Sequence, residues 1–117
     1  MHNFRDLEVW KKSILLCKHY YIVSKNFPKD ELFGLTSQSR RSLYSIPSNI
    51  AEGAGRDTNP QFCQFLNIAL GSSFEFETQI IIANDLEFIK KNDFDLLMTE
   101  IRHIQNMIIK LKQNYSK

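Results

Sequence analysis

The chain has 117 residues, 43% of them hydrophobic, 24% charged and 12% aromatic, with only 4 Gly and 3 Pro. That length suits one domain spanning 1–117, and the composition excludes disordered, collagen-like and linker sequence. Fifteen Lys and Arg against 13 Asp and Glu leave a net charge of +2, too mild by itself to mark a nucleic-acid-binding protein. No apolar run reaches the roughly 18 residues that cross a bilayer. The opening Met1-His2-Asn3-Phe4-Arg5-Asp6 lacks the charged-then-apolar pattern of a signal peptide. A cytoplasmic domain without a membrane partner is the expectation.

The first helix is predicted over Arg5 to Asn26. Leu7, Trp10, Ile14, Cys17 and Tyr21 recur at steps of three and four, the period of one helix face. Val9, Leu16, Tyr20, Val23 and Phe27 make a second, offset stripe. A helix packed only within its own bundle needs one apolar face, so Tyr20, Val23 and Phe27 are expected at an interface between subunits.

Phe27-Pro28 ends that helix, because proline disfavours helical geometry in the residue before it. The second helix is predicted from Leu35 to Gly55 with Pro47 in its middle. Pro47 removes the bond to the Leu43 carbonyl, a cost of about 3 kcal/mol. Leu43, Ile46, Ile50 and Ala54 nevertheless keep their spacing across it. One helix kinked at Pro47 is therefore expected, relieved by Ser45, Ser48 or water and stopped by Gly53 and Gly55.

The third helix starts with Asn59 as N-cap and Pro60 in the first turn. Phe62, Leu66, Ala69, Ser73, Phe76, Ile80 and Ala83 follow at alternating steps of four and three. Lys90-Lys91-Asn92 is expected to close it. A fourth helix opens at Asn92 or Asp93 and carries Phe94, Leu97, Ile101, Ile104, Ile108, Leu111 and Tyr115. Two such regular seams with short connections predict an all-α, antiparallel up-down four-helix bundle.

Chemistry is sparse. Cys17 and Cys63 sit among apolar neighbours and behave as small hydrophobes. His2, His19 and His103 form no ligand spacing. Glu100 with His103 is a single Glu-x-x-His pair where a carboxylate-bridged metal bundle needs two. Phosphate loops, nucleophile elbows and His-Glu-x-x-His are missing. Neither an enzyme nor a cofactor is expected. Gly53-Ala54-Gly55 reads as a helix-ending turn rather than an anion site.

Charge is uneven along the chain. Residues 1–58 hold nine basic and six acidic side chains, while residues 59–117 hold six and seven. Arg56 to Lys90 contains no intervening Lys or Arg. Asn49, Glu52 and Arg56 form a polar row on the second helix, with Glu52 and Arg56 spaced to pair. Lys18, Lys25, Arg40, Arg41 and Arg56 are the candidate phosphate-binding residues.

Phe4-Arg5-Asp6-Leu7-Glu8-Val9-Trp10, Phe27-Pro28-Lys29, Phe33-Gly34-Leu35-Thr36-Ser37-Gln38, Arg40-Arg41, Ser45-Ile46-Pro47-Ser48-Asn49-Ile50-Ala51-Glu52-Gly53 and Phe65 to Ser72 together resemble the family of 23S rRNA intervening-sequence proteins. The similarity runs on through Glu75, Glu77 and Thr78-Gln79 into the fourth helix. The resemblance implies a four-helix bundle that assembles as a homopentamer. A branch with a similar fold, the accessory variability protein of diversity-generating retroelements, binds nucleic acid and a reverse transcriptase through a basic ring surface. RNA or DNA, and a reverse transcriptase or other protein, are the partners so implied. The chain departs from the more basic members in its +2 charge and in Ser39, where an apolar residue is usual.

The expected function is a non-enzymatic homo-oligomer with a nucleic-acid-associated role. The alternative is a protein-interaction scaffold without nucleic-acid contact. Phosphate contacts from the first two helices are expected, without base reading and without exposed aromatics for stacking. Reversal of both Arg40 and Arg41 should weaken such binding unless either arginine is structural.

Overall fold

In the computed structural model, residues 1–116 are described, and they are all-α with no strand. Four helices carry the fold: α1 (Glu8–Ser24), α2 (Ser37–Ala54), α3 (Asn59–Asp85) and α4 (Lys91–Tyr115). Helix α1 packs on α2 and α4, and α3 packs on the same two, so α1 and α3 stand diagonally across an up-down bundle. Single turns cover Phe4–Asp6 and Lys29–Glu31, and a wider π-type turn over Leu32–Thr36 leads into α2.

The predicted seams of the last three helices are the core. Leu43, Ile46, Ile50 and Ala54 of α2 are fully buried. So are Leu66, Ala69, Phe76, Ile80 and Ala83 of α3, and Leu97, Ile101, Ile104 and Ile108 of α4. These are three stripes of a jointly packed interior, which is why a strict three-four spacing located them.

The expectation for α1 is corrected. Val9, Leu16, Tyr20, Val23 and Phe27 form its core stripe, with Tyr20 0% exposed, so Tyr20, Val23 and Phe27 line no subunit interface. Ser13 and Ser24 complete that stripe and disguise it. Their hydroxyls donate to the carbonyls of Val9 and Tyr20, each at 2.7 Å, so both are buried without an unpaired group. Trp10, Ile14 and Cys17 flank the core, and Tyr21 faces outward.

Helix α2 runs unbroken from Ser37 to Ala54 with Pro47 inside it. The carbonyl of Leu43, deprived of its helical donor by Pro47, accepts from Cys17 Sγ at 3.9 Å. Burial pushes the Cys17 thiol up to about 12, so the proton it donates is retained. Ser48 Oγ donates instead to Tyr44, and Asn49 Nδ2 to Ser45, at 2.9 and 2.8 Å. Gly53 lies within the helix, not at its end. Gly55 is the cap.

Two other helix ends differ from expectation. Thr58, not Asn59, caps α3: its hydroxyl accepts from the Gln61 amide, and Gln61 Oε1 accepts from the Thr58 amide. This reciprocal box satisfies two orphan donors. Helix α3 ends at Asp85, before Lys90, where the Glu87 and Phe88 amides donate to the carbonyls of Asn84 and Ala83. That Schellman turn sets Glu87 at φ 64°, a left-handed conformation that penalises any side chain. Glu87→Gly is expected to stabilise the chain by about 1 kcal/mol, the steric penalty less glycine's extra unfolded entropy. An unchanged urea midpoint would contradict it.

Candidate nucleic-acid interface

Helix α1 ends against the start of α2, and the way its last carbonyls are satisfied builds the site. The amides of Lys25, Asn26 and Phe27 donate to the carbonyls of Ile22, Val23 and Ser24. The Tyr21 carbonyl receives no backbone amide there, and it accepts from Arg40 Nη2 at 3.2 Å and from Ser24 Oγ at 3.3 Å. Arg40 Nε donates to Ser24 Oγ at 2.7 Å, and the guanidinium lies 4.4 Å from the Tyr21 ring centre. A cation at a helix C-terminus also meets the negative end of its dipole. Arg40 is thus half committed to joining the two helices, through hydrogen bonds rather than an ion pair.

Around it opens a cleft of about 410 Å³ lined by Tyr21, Lys25, Lys29, Leu32, Thr36 and Arg40. Lys25 Nζ stands 5.0 Å from the opposite partner of this stack, the Tyr21 ring centre. Arg41 is exposed on the next position of α2, sharing a shallow surface with Arg40, Tyr44 and Ser48. Lys25, Lys29, Arg40 and Arg41 form no ion pair among the described residues. Partial burial raises Tyr44 above the ordinary tyrosine value, so its hydroxyl is a neutral donor at pH 7.

Of the five residues predicted from sequence, Lys25, Arg40 and Arg41 come together at this end of the bundle. Lys18 lies on the outer face of α1, seven residues or about 10 Å from Lys25 along the axis. Arg56 is at the far end of α2, where it pairs with Glu52 at 3.2 Å and covers the Phe65 ring at 4.8 Å. It does not join the patch. Lys29 was missed, although Phe27-Pro28 placed a turn directly before it.

The expected lack of exposed aromatics is corrected. Tyr21 and Tyr44 present part of their rings beside these cations, and Phe33 is 92% exposed in the connecting turn. Tyr21 escaped notice because the spacing had assigned it to the core stripe. Among the described residues no cluster of His, Cys, Asp and Glu is arranged to hold a metal, and no helix is long and apolar enough to cross a membrane.

Residues 5–110 match the family model described as 23S rRNA-intervening sequence protein. The chain belongs to that family. A crystal structure from Bacteroides thetaiotaomicron VPI-5482, titled as a protein of unknown function from the S23 ribosomal protein family, has the same fold. Its TM-score is 0.83 at 24% identity, over 90% of this chain and 95% of that one. Comparison with curated proteins finds no match. Phe27, Pro28 and Lys29 all fall in the wall of the cleft.

Proposed function

We propose that this family member is a non-enzymatic homo-oligomer that holds the phosphate backbone of single-stranded nucleic acid at the α1–α2 end of each bundle. The observation that carries the reading is the grouping of Lys25, Lys29 and Arg41, free of ion pairs among the described residues, beside the exposed rings of Tyr21 and Tyr44. Cations that track phosphates and rings that accept stacked bases are the two parts of a single-strand site. The family's description, which names 23S rRNA, favours RNA. Repetition of the patch around an oligomer compensates for the mild net charge, since each subunit adds its own phosphate contacts.

Fluorescence anisotropy on a labelled RNA of about 16 nucleotides, with its duplex as competitor, tests this. Binding is expected to favour the single strand and to ignore sequence. The slope of log K against log salt should steepen by about 0.7 for each phosphate contacted. Lys29→Glu combined with Arg41→Glu should lower affinity at least tenfold with an unchanged melting curve, because neither side chain supports the fold. Arg40 is the wrong residue to reverse, given its hold on Ser24 and Tyr21. A parent that binds no nucleic acid at low salt would leave the scaffold reading, which the exposed Ile68, Phe74, Ile81 and Ile82 of α3 favour.

A further inference from the structure

Beside its apolar stripe, α2 carries Gln38, Ser42, Ser45 and Asn49 at steps of four, three and four. Helix α3 answers with Ser72, Glu75 and Gln79 at steps of three and four. A cleft of about 370 Å³ opens between these two edges, and every side chain that lines it is polar. That volume lies at the small end for a ligand site. Hydrogen bonds fix its walls. Ser42 Oγ donates to Gln79 Oε1 at 2.6 Å, Ser45 Oγ and Ser72 Oγ share a bond of 2.9 Å, and Asn49 Nδ2 donates to Ser45 Oγ at 2.8 Å.

The groups these bonds leave over have a definite chemistry. The Gln79 amide keeps both N–H donors without a partner among the described residues. Ser45 and Ser72 have two hydroxyl hydrogens and one shared bond, so one hydrogen remains to be donated. The cleft holds one cation, Arg41 on α2, and one carboxylate, Glu75 on α3. They line the same cleft without pairing with each other or with any other described residue. A ligand that satisfies both must offer an anion to Arg41 and a hydrogen-bond donor to Glu75.

We propose that this cleft takes a ribose of a bound RNA strand, with Glu75 accepting from the 2′-hydroxyl, and makes the site selective for RNA over DNA. This rests on the single-strand reading above and names its substrate class. Arg41 belongs both to this cleft and to the surface shared with Arg40 and Tyr44. A strand whose phosphate lies on Arg41 therefore brings a neighbouring sugar to the cleft. In RNA the 2′-hydroxyl sits on the carbon beside the one that bears the 3′-phosphate. It is both donor and acceptor. It meets Glu75 as donor, and the Gln79 amide or the spare serine hydrogen as acceptor. Deoxyribose offers the carboxylate nothing, and Glu75 then only repels the backbone. Sugar contacts carry no base information, in keeping with binding that ignores sequence.

Anisotropy on the full chain at low salt compares three labelled strands of about 16 nucleotides and one sequence: RNA, 2′-fluoro RNA, and DNA with uracil in place of thymine. RNA is expected to bind about tenfold more tightly than DNA, the scale of one hydrogen bond to a charged acceptor. 2′-Fluoro RNA keeps the sugar shape of RNA but has no hydrogen to donate, so it should bind like DNA. Glu75→Ala should weaken RNA, tighten DNA and bring all three within about twofold. Its melting curve should not move, because Glu75 is exposed and unpaired among the described residues. Equal binding of RNA and DNA by the parent would overturn the sugar assignment while leaving the phosphate site in place. RNA-like binding of 2′-fluoro RNA, or an RNA preference that survives Glu75→Ala, would do the same. The fluoro comparison needs no variant and decides the matter if Glu75→Ala proves unstable. A parent that binds none of the three strands would overturn both readings.

Discussion

Tyr20→Ala should lower the unfolding free energy by about 3–5 kcal/mol, the range for removing a fully buried aromatic ring. That is a large share of the 5–15 kcal/mol that holds a domain of this kind together. Tyr20 is 0% exposed, and its ring meets Phe76 edge-on at 4.8 Å and Phe27 at 6.1 Å. It is the point where α1 crosses the bundle interior to reach α3. Its hydroxyl contributes less. Tyr20 Oη and Ser39 Oγ share a hydrogen bond of 2.7 Å, and Ser39 also donates to the Thr36 carbonyl at 3.1 Å. Tyr20→Phe should therefore cost only about 1 kcal/mol.

A pH series separates ring from hydroxyl. Burial, outweighing the Ser39 hydrogen bond, raises Tyr20 from 10.0 to about 12. The folded chain holds that proton more tightly than the unfolded chain does. The resulting stability is fully present below pH 10 and is lost as pH rises towards 12. Tyr20→Phe should show less of this alkaline fall than the parent. Denaturant midpoints of Tyr20→Ala should not depend on protein concentration, since the ring is buried within one chain. A strong concentration dependence, or a loss under 1 kcal/mol, would restore Tyr20 to a subunit interface.

How much could be read from sequence depended on whether a helix had one apolar stripe or two. In α2, α3 and α4 a single stripe repeats at three and four, and every expected central position is buried. In α1 two stripes overlap, and the true one is interrupted by Ser13 and Ser24, whose i−4 hydrogen bonds make them acceptable in a core. Spacing alone cannot rank such stripes, because the decision lies with the partners, Phe76 and Phe88 among them. The cation pair Arg40-Arg41 was legible as charge. Its division of labour was not, because the Tyr21 carbonyl that holds Arg40 is brought to it only by the packing of α1 on α2. The Cys17 donor to the Leu43 carbonyl is 26 residues away in sequence and equally out of reach.

Gly53→Ala is expected to destabilise the fold by about 1–3 kcal/mol, the usual cost of overfilling a packed interface. Propensity alone points the other way, since alanine exceeds glycine in a helix interior by roughly 1 kcal/mol. Packing decides. A side-chain carbon on Gly53 would stand 2.5 Å from Phe65 Cβ, 3.1 Å from the Phe62 ring and 3.3 Å from the Phe62 carbonyl. Cβ and carbonyl are fixed to the α3 backbone, so rotamer changes cannot relieve the contact, and α2 must move away from α3. That shift would loosen Ile50 and Ala54 against Phe62 and Leu66, all within 1% of complete burial. Gly71→Ala is the control, because it adds the same methyl to a glycine on the same helix pair where the space is open. There propensity acts unopposed, and the monomer should gain roughly 0.5–1 kcal/mol. Melts followed by circular dichroism should thus move in opposite directions for one and the same substitution. A rise for Gly53→Ala would mean that α2 and α3 do not approach as closely as the glycine permits, and that Gly53 merely ends a helix, as its place before Gly55 first suggests.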